Sequence, residues 1–285
     1  MNKKNKNMNE KIFRRIIGVK KNTFKYLLML LELKPKKSGK KLGRKPNLTS
    51  NKQLMLTLQY WSNYMTLLEV GFMFGVSEAS ACRIVKRIED KLAKSGVCKL
   101  RGKKSLLTTD EEQIIIDVTE CPIERPKRKK LGRIKNRQKY YYSGKKKRHT
   151  IKVQLLISNK EIRATAFANG KKHDFRLFKE SKTYLHKSKK IKADSGYQGL
   201  QKLHSESDLP KKGSKKNPLT KEDKAKNKQQ AKKRVVVEHV IGWIKRFKII
   251  STRYRGRRKR FGLRFNIICG IYNYENKGGN NEIRS

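Results

Sequence analysis

Over the first hundred residues the apolar positions recur every three to four residues, the spacing of helices that bury one face. Residues 24–33 form one such segment, and the Lys/Gly/Pro-rich stretch 34–46 after it reads as a linker. Three more segments follow between Leu48 and about Leu100. The first runs through Leu54, Leu58 and Trp61, the second through Leu67, Val70, Phe72 and Phe74, and the third through Ala81, Ile84, Val85, Ile88 and Leu92. Gly75-Val76-Ser77 separates the last two. Glycine suits the sharp turn there, and Ser77 is a good N-cap for a helix opening with Glu78, Ala79 and Ser80. This predicts a helix-turn-helix whose second helix is shaped for a DNA major groove. Ser80, Arg83, Lys86 and Arg87 are its groove-facing candidates, arginine for a guanine edge and lysine for phosphate. A plain helical bundle with a solvated basic face has the same spacing, and spacing alone does not separate the two.

From about Leu106 the period shortens. Residues 113–118 are a continuous apolar run interrupted by Asp117, as expected of a buried central strand that presents one carboxylate. Residues 150–158 and 162–168 alternate like paired strands joined at Asn159-Lys160. A helix over 173–182 and a short strand ending at Asp194 come next. A Lys-rich insert, 211–233, then leads into a long amphipathic helix over about 231–249. Three strands, helix, strand, insert and helix fit an α/β layer with a mixed sheet. The chain thus divides into a basic N-terminal segment and linker (1–47), an all-α helix-turn-helix domain (48–100), an α/β domain (106–275) and a tail (276–285).

Charge then narrows the class. The 285 residues hold 75 Lys and Arg against 23 Asp and Glu, a net charge of +52. Such a surface repels itself unless a polyanion neutralises it, and nucleic acid is the abundant polyanion. An AT-rich coding bias would raise the acids as well as lysine, so it does not explain the imbalance. Residues 125–148 carry 13 Lys or Arg and no acid, and residues 245–260 carry 9 and no acid. The tyrosines at 140–142 place aromatics among these cations, suited to stacking on exposed bases. The segment 125–139 suits a solvated loop equally well. The polar start and the shortness of the apolar stretch 26–31 predict a soluble, cytoplasmic protein with no membrane partner. Cys82, Cys98, Cys121 and Cys269 are too widely spaced for a zinc ribbon and read as reduced thiols.

In a chain this basic the acids carry the information. Asp117 and Asp194 both fall at strand positions where an unpaired buried charge is costly, and Asp194 precedes the glycine-bracketed turn Ser195-Gly196-Tyr197-Gln198-Gly199. Each aspartate alone could serve as a turn cap or a lysine partner. At 100° per residue, Val236, Val240, Trp243 and Phe247 form a stripe for the core, with Arg234, Glu238, Gly242 and Lys245 opposite. Glu238 is therefore either a metal ligand flanked by phosphate-binding cations or half of an i, i+4 surface pair. Three carboxylates together would repel without divalent cations, and hard oxygen ligands suit Mg²⁺ or Mn²⁺. An Asp in mid-strand, an Asp after a later strand and a Glu on a following helix are the layout of an RNase H-like nuclease core.

The run Ile116-Asp117-Val118-Thr119-Glu120, then Gly170-Lys171-Lys172-His173-Asp174, then Ala193-Asp194-Ser195-Gly196-Tyr197-Gln198-Gly199, and finally residues 234–247, RVVVEHVIGWIKRF, together resemble DDE transposases. The nearest group is the bacterial insertion-sequence five family, with PIF/Harbinger enzymes further off, and the likeness covers about residues 48–274. It implies an RNase H-like catalytic domain preceded by a helix-turn-helix. Asp117, Asp194 and Glu238 would be the catalytic, metal-binding triad with two Mg²⁺ or Mn²⁺ ions, and Arg234 and Lys245 would be DNA-binding neighbours of the glutamate. It also implies binding to the terminal inverted repeats of an element, strand cleavage, strand transfer to target DNA, homo-oligomerisation on DNA and association with the nucleoid. Val118 and Ala231 depart from the family, which commonly has Gly or Ala and Tyr there. Asp174, at a helix start, reads as a cap for free N–H groups rather than a ligand. The rival expectations are a catalytically inactive, element-derived DNA-binding protein and, in a different class, an RNA-binding protein.

Overall fold

The computed structural model describes residues 8–32, 46–96, 98–108, 113–127, 137–214 and 217–278. The linker expected at 34–46 and the tail at 276–285 lie almost wholly outside the described residues, as do residues 128–136 of the first basic stretch. Contacts divide the chain into two units. A helical unit gathers 1–99, 244–251 and 260–285, and a sheet unit gathers 100–243 and 252–259.

The helical unit begins with α1 (Glu10–Ile17) and α2 (Lys21–Glu32), followed by α3 (Ser50–Asn63), α4 (Leu67–Phe74) and α5 (Glu78–Lys94). The sequence pattern does not reveal α1, because two turns burying only Phe13 and Ile17 are too short to show a period. Its ends are nonetheless well specified: the Asn9 side chain accepts from the Lys11 N–H, and Gly18 closes the helix at φ 91°. In α3, Leu54, Leu58 and Trp61 are fully buried, as their spacing requires. Thr66 and Glu69 form a reciprocal capping box at the start of α4. Gly75 ends α4 at φ 67°, and the Ser77 side chain accepts from the Ser80 N–H to start α5. A Cβ on Gly71 would lie 2.7 Å from the Val76 carbonyl, so α4 and the turn approach to a distance only glycine allows.

The α5 face is as the spacing predicts, with Ala81, Ile84, Val85, Ile88 and Leu92 buried. The α4 face is not. Val70 and Gly71 are its buried residues, while Phe72 is 88% exposed and Leu68 64%. Apolar residues surround this two-turn helix, so packing rather than period selects the buried side.

The sheet unit holds a six-stranded mixed sheet. Its elements are β1 (Gln113–Pro122), the single-turn helix α6 (Arg137–Tyr141), β2 (Tyr142–Ser143), β3 (Arg148–Ser158), β4 (Glu161–Asn169), α7 (Asp174–Glu180), β5 (Lys190–Lys192), β6 (Ser207–Asp208) and α8 (Lys221–Lys245). β4 and β3 pair antiparallel through a tight turn at Asn159 and Lys160, both at positive φ. β3 pairs antiparallel with β1, β1 parallel with β5, and β5 parallel with β6. Three antiparallel strands extended by two parallel ones form the RNase H-like α/β layer. One β1 face packs Ile114 and Ile116 against Leu156, Phe178, Ile191 and Tyr197, with Val118 at the edge of this core.

The long helix differs from its sequence expectation in two ways. It begins at Lys221, ten residues before the expected start at 231, so thirteen residues of the Lys-rich insert are helical. Its buried stripe is Val237, Val240, Ile244 and Phe247 rather than Val236, Val240, Trp243 and Phe247, since Val236 and Trp243 are only partly covered. The chain then re-enters the helical unit with α9 (Lys248–Ser251) and α10 (Phe261–Asn276). Twelve of the sixteen α10 residues are buried, so it has no polar face and no amphipathic signal. Among the described residues no helix is long and apolar enough to cross a membrane.

Candidate active site and DNA-contact residues

Strand register brings the first two acids together. Ile114 pairs with Ile191 and Ile115 with Lys192 across the parallel β1–β5 ladder. Asp117 lies on the β1 face opposite Ile116 and Val118, and Asp194, two residues past the end of β5, is near enough for its charge to bear on Asp117. Asp194 follows β5 and caps the 3₁₀ turn Ser195–Tyr197, its Oδ1 accepting from the Gly196 N–H at 3.0 Å. Asp117 accepts from the Val118 N–H at 2.8 Å, and its side chain is 18% exposed. Burial, aided by the charges of Asp194 and Asp174 and opposed by Arg234, pushes its carboxyl up to about 6.

Asp174 lies at a helix start, as the sequence pattern places it, but its side chain pairs across the sheet unit instead of serving only the helix end. It opens α7, where its recorded partner is Lys152 of β3, with Nζ to Oδ1 at 2.7 Å. A Cβ on Gly196 would lie 3.0 Å from Asp174 Oδ2 and 3.0 Å from Asp194 Oδ1. The two carboxylates thus face each other across a gap that any other residue at 196 would fill. Sequence distance hid this neighbour, because helix-start aspartates are common and Lys152 lies on a strand with no motif of its own.

Arg234 of α8 reaches Asp117, with Nη2 to Oδ1 at 3.6 Å, and its buried Nε has no hydrogen-bond partner among the described residues. Glu238, one turn further on, is exposed. Lys245 is partly buried at the last position of α8 and groups with the helical unit. Among the described residues no three His, Cys, Asp or Glu side chains are gathered as a ready metal-ligating set. The oxygen donors of Asp117 and Asp194 still suit a hard divalent cation, because burial and neighbouring carboxylates leave Asp117 short of positive charge.

Two polar residues beneath this cluster carry no obvious sequence signal. Tyr197 is fully buried and donates its hydroxyl to Gln154 Oε1 at 3.2 Å. Burial and the charges of Asp174, Asp117 and Asp194 raise its pKa well above the usual phenol value. Gln154 is itself fully buried, and its Nε2 has no partner among the described residues. A glutamine at a core-facing strand position is the one hint the sequence offers.

The helix-turn-helix candidates separate into two sets. Arg83 and Lys86 are exposed on α5. Ser80 accepts from the Ser77 hydroxyl at 3.0 Å, and Arg87 donates to Gln53 Oε1 at 2.8 Å, so both already have intramolecular partners.

Comparison with known proteins follows the same division. Residues 116–273 match the family model described as DDE superfamily endonuclease, and residues 46–98 match the helix-turn-helix of DDE superfamily endonuclease. The chain is 42% identical over 276 residues to a probable transposase for insertion sequence element IS702 from Microchaete diplosiphon. That alignment covers 95% of this chain and 97% of the relative. No solved structure matches.

Proposed function

The chain belongs to the DDE superfamily of endonucleases, and from that membership we propose that it is a DNA transposase. It binds the terminal inverted repeats of its own element, cuts DNA at their ends, and joins the freed 3′-hydroxyls to target DNA without a covalent protein intermediate. The observation that supports this reading is the nearness of Asp194, which follows β5, to Asp117 on β1, with Arg234 paired to Asp117.

Asp117, Asp194 and Glu238 are the residues to hold divalent cations, two Mg²⁺ or Mn²⁺ ions, whose contribution is to neutralise charge at the phosphodiester under attack. Arg234 offers the exposed part of its guanidinium to a non-bridging phosphate oxygen. Lys245, at the C-terminal end of α8, is a second DNA-binding cation. In the first step water forms a bond to phosphorus, the P–O3′ bond breaks, and the proton leaves for the departing 3′-oxygen. In the second step that 3′-hydroxyl attacks a target phosphodiester, and an equivalent P–O3′ bond breaks. Arg83 and Lys86 are the free members of the reading set on α5, and joining two element ends calls for a homo-oligomer on DNA.

The test is strand nicking on duplex DNA ended by the element's inverted repeats. The wild type should cut with Mg²⁺ and stop with chelator, and Glu238→Gln should bind the repeat without cutting. Tight repeat binding with no cutting under any divalent cation would leave an inactive, element-derived DNA-binding protein as the reading.

A further inference from the structure

Helix α4 leaves large apolar side chains uncovered. Phe72 is 88% exposed, Leu68 64% and Met73 55%, while the other side of the helix is held by buried Val70 and Gly71. At 100° per residue the three exposed positions fall within about 140° of arc, so they form one ridge. Both ends of that ridge are fixed, by the capping box of Thr66 and Glu69 and by Gly75 at φ 67°. Glu69 does not interrupt it. Its Oε2 accepts from the Thr66 N–H at 2.6 Å and from the Thr66 hydroxyl at 2.8 Å, which draws the carboxylate back to the helix start.

The charge around this ridge runs against the rest of the chain. About one residue in four of the chain is Lys or Arg, yet residues 53–82 hold none, and two acids. The burial of α3 accounts for the first part of that gap. It does not account for the rest, because nine residues over 66–79 are exposed and none of them is a cation. Such a surface offers phosphate little, since duplex DNA is held chiefly by the cations that neutralise it. Single exposed apolar residues are ordinary on any protein. Three on one ridge are the pattern of a protein contact.

We propose that the α4 ridge is a docking surface for a second copy of this chain, with α4 laid against α4 about a two-fold axis. Charge selects this occupant. Each copy carries +52, so two copies repel over most of their surfaces and meet most easily where cations are absent. A two-fold contact lays one such face on the other, apolar ridge against apolar ridge. Two turns of helix supply roughly half of the 800 Å² per partner of a standard interface. The contact is therefore weak in free solution and serves copies already held close together, where a weak contact acts at high effective concentration. Two copies on two element ends meet that condition, and this is the point at which the proposal rests on the transposase reading.

The test is sedimentation of the full-length protein without DNA, so that its outcome depends on neither repeat recognition nor cutting. The wild type should self-associate reversibly. Raising NaCl from about 0.15 to 0.6 M should tighten the association at least about threefold, because screening weakens repulsion between the copies. DNA binding moves the other way with salt. Phe72→Glu should weaken the association at least about tenfold, the loss of an aromatic anchor, and Leu68→Glu on the same ridge should weaken it too. Both side chains are exposed, so both variants should melt with the wild type. Tyr184→Glu alters a side chain 69% exposed in the sheet unit and should leave association within about twofold of wild type. A wild type that is monomeric at every salt concentration, an association that salt weakens, or an equal loss from Tyr184→Glu would overturn the proposal. In gel shift, Phe72→Glu should bind a single inverted repeat as tightly as the wild type does. A loss there would assign the ridge to DNA and overturn the second-copy assignment.

Discussion

Glu89 in the helical unit is wholly buried and accepts hydrogen bonds from Trp61 Nε1 at 3.2 Å, Arg264 Nε at 2.6 Å and Arg260 Nε at 2.5 Å. Glu275 in the same unit is 7% exposed and accepts from the Lys20 N–H, the Thr23 hydroxyl and Arg14. Asp117 in the sheet unit is mostly covered too, yet its side-chain cation is one arginine at 3.6 Å, and two further aspartates press on it. The first arrangement supplies both carboxylate oxygens with donors, which is how a fold keeps a charge for its own cohesion. The second leaves charge unmet, and such a deficit persists only where something outside the chain supplies the balance. The contrast sets acids satisfied within the fold apart from the one proposed for the active site, in a chain with only 23 acids.

The largest effect expected from breaking that contrast is on catalysis. Asp117→Asn and Asp194→Asn should each lower metal-dependent nicking at least about a thousandfold, roughly 4 kcal/mol of transition-state stabilisation, while repeat binding in gel shift stays near wild type. Glu89→Gln should do the reverse. It leaves Arg264 beside a neutral amide and Arg260 with Asp90 as its remaining carboxylate partner, and chemical denaturation should show a loss of about 3 kcal/mol. If Asp117→Asn destabilises the protein as much as Glu89→Gln, the two kinds of acid are one kind and the contrast is lost.

The stability of the metal-free protein offers a finer version. The Asp117 carboxyl sits near 6 in the folded chain against an ordinary 3.8, so between those values the folded state holds the proton more tightly than the unfolded one. A raised carboxyl favours folding below the ordinary value and progressively disfavours it as pH climbs through about 6. Above that, the penalty approaches roughly 3 kcal/mol. Asp117→Asn removes it but also deprives Arg234 of its partner. In chelator at pH 8 the variant should therefore unfold at higher denaturant than wild type, by about 1–2 kcal/mol, and the gain should vanish by about pH 4. A variant less stable than wild type at pH 8 would show that Arg234 satisfies Asp117 after all.

How far the sequence announced this arrangement depends on the length of each signal. The three long strands were legible because runs of nine to eleven residues carry an apolar signal of their own, with Asp117 as the single break in one of them, whereas the two-residue β2 and β6 were not. α5 was legible from five apolar residues in register with Ser77 as cap. The short α1 and α4 were not, and α10 was invisible because a helix buried on all sides has no polar face to set its period. The stripe on α8 came out one position off at Val237 and Ile244, since residues 235–237 are all valine and offer no contrast. Asp117 and Asp194 were singled out through motif order, and Tyr197 stood in the same motif without a role. Asp174, Lys152 and Gln154 were not picked as their neighbours because that association is made by folding, across elements distant in sequence.

Asp174 gives the smallest and most discriminating effect. Its ion pair with Lys152 is partly exposed, at 24% and 13% of the two side chains, so losing it should cost about 1 kcal/mol or less. Relief of repulsion from Asp117 and Asp194 offsets part even of that. Asp174→Asn should therefore melt close to wild type and still cut DNA at alkaline pH. It should change the pH profile, because removing the Asp174 charge and freeing that of Lys152 both favour the ionised form of Asp117. The acid limb of the nicking rate should then move down by about half a pH unit, since each nearby charge shifts such a group by a fraction of a unit to a few units. A purely structural role would lower stability and leave that limb in place. A folded Asp174→Asn protein that cuts at no pH would instead make Asp174 a metal ligand and displace Asp194 or Glu238 from the proposed triad.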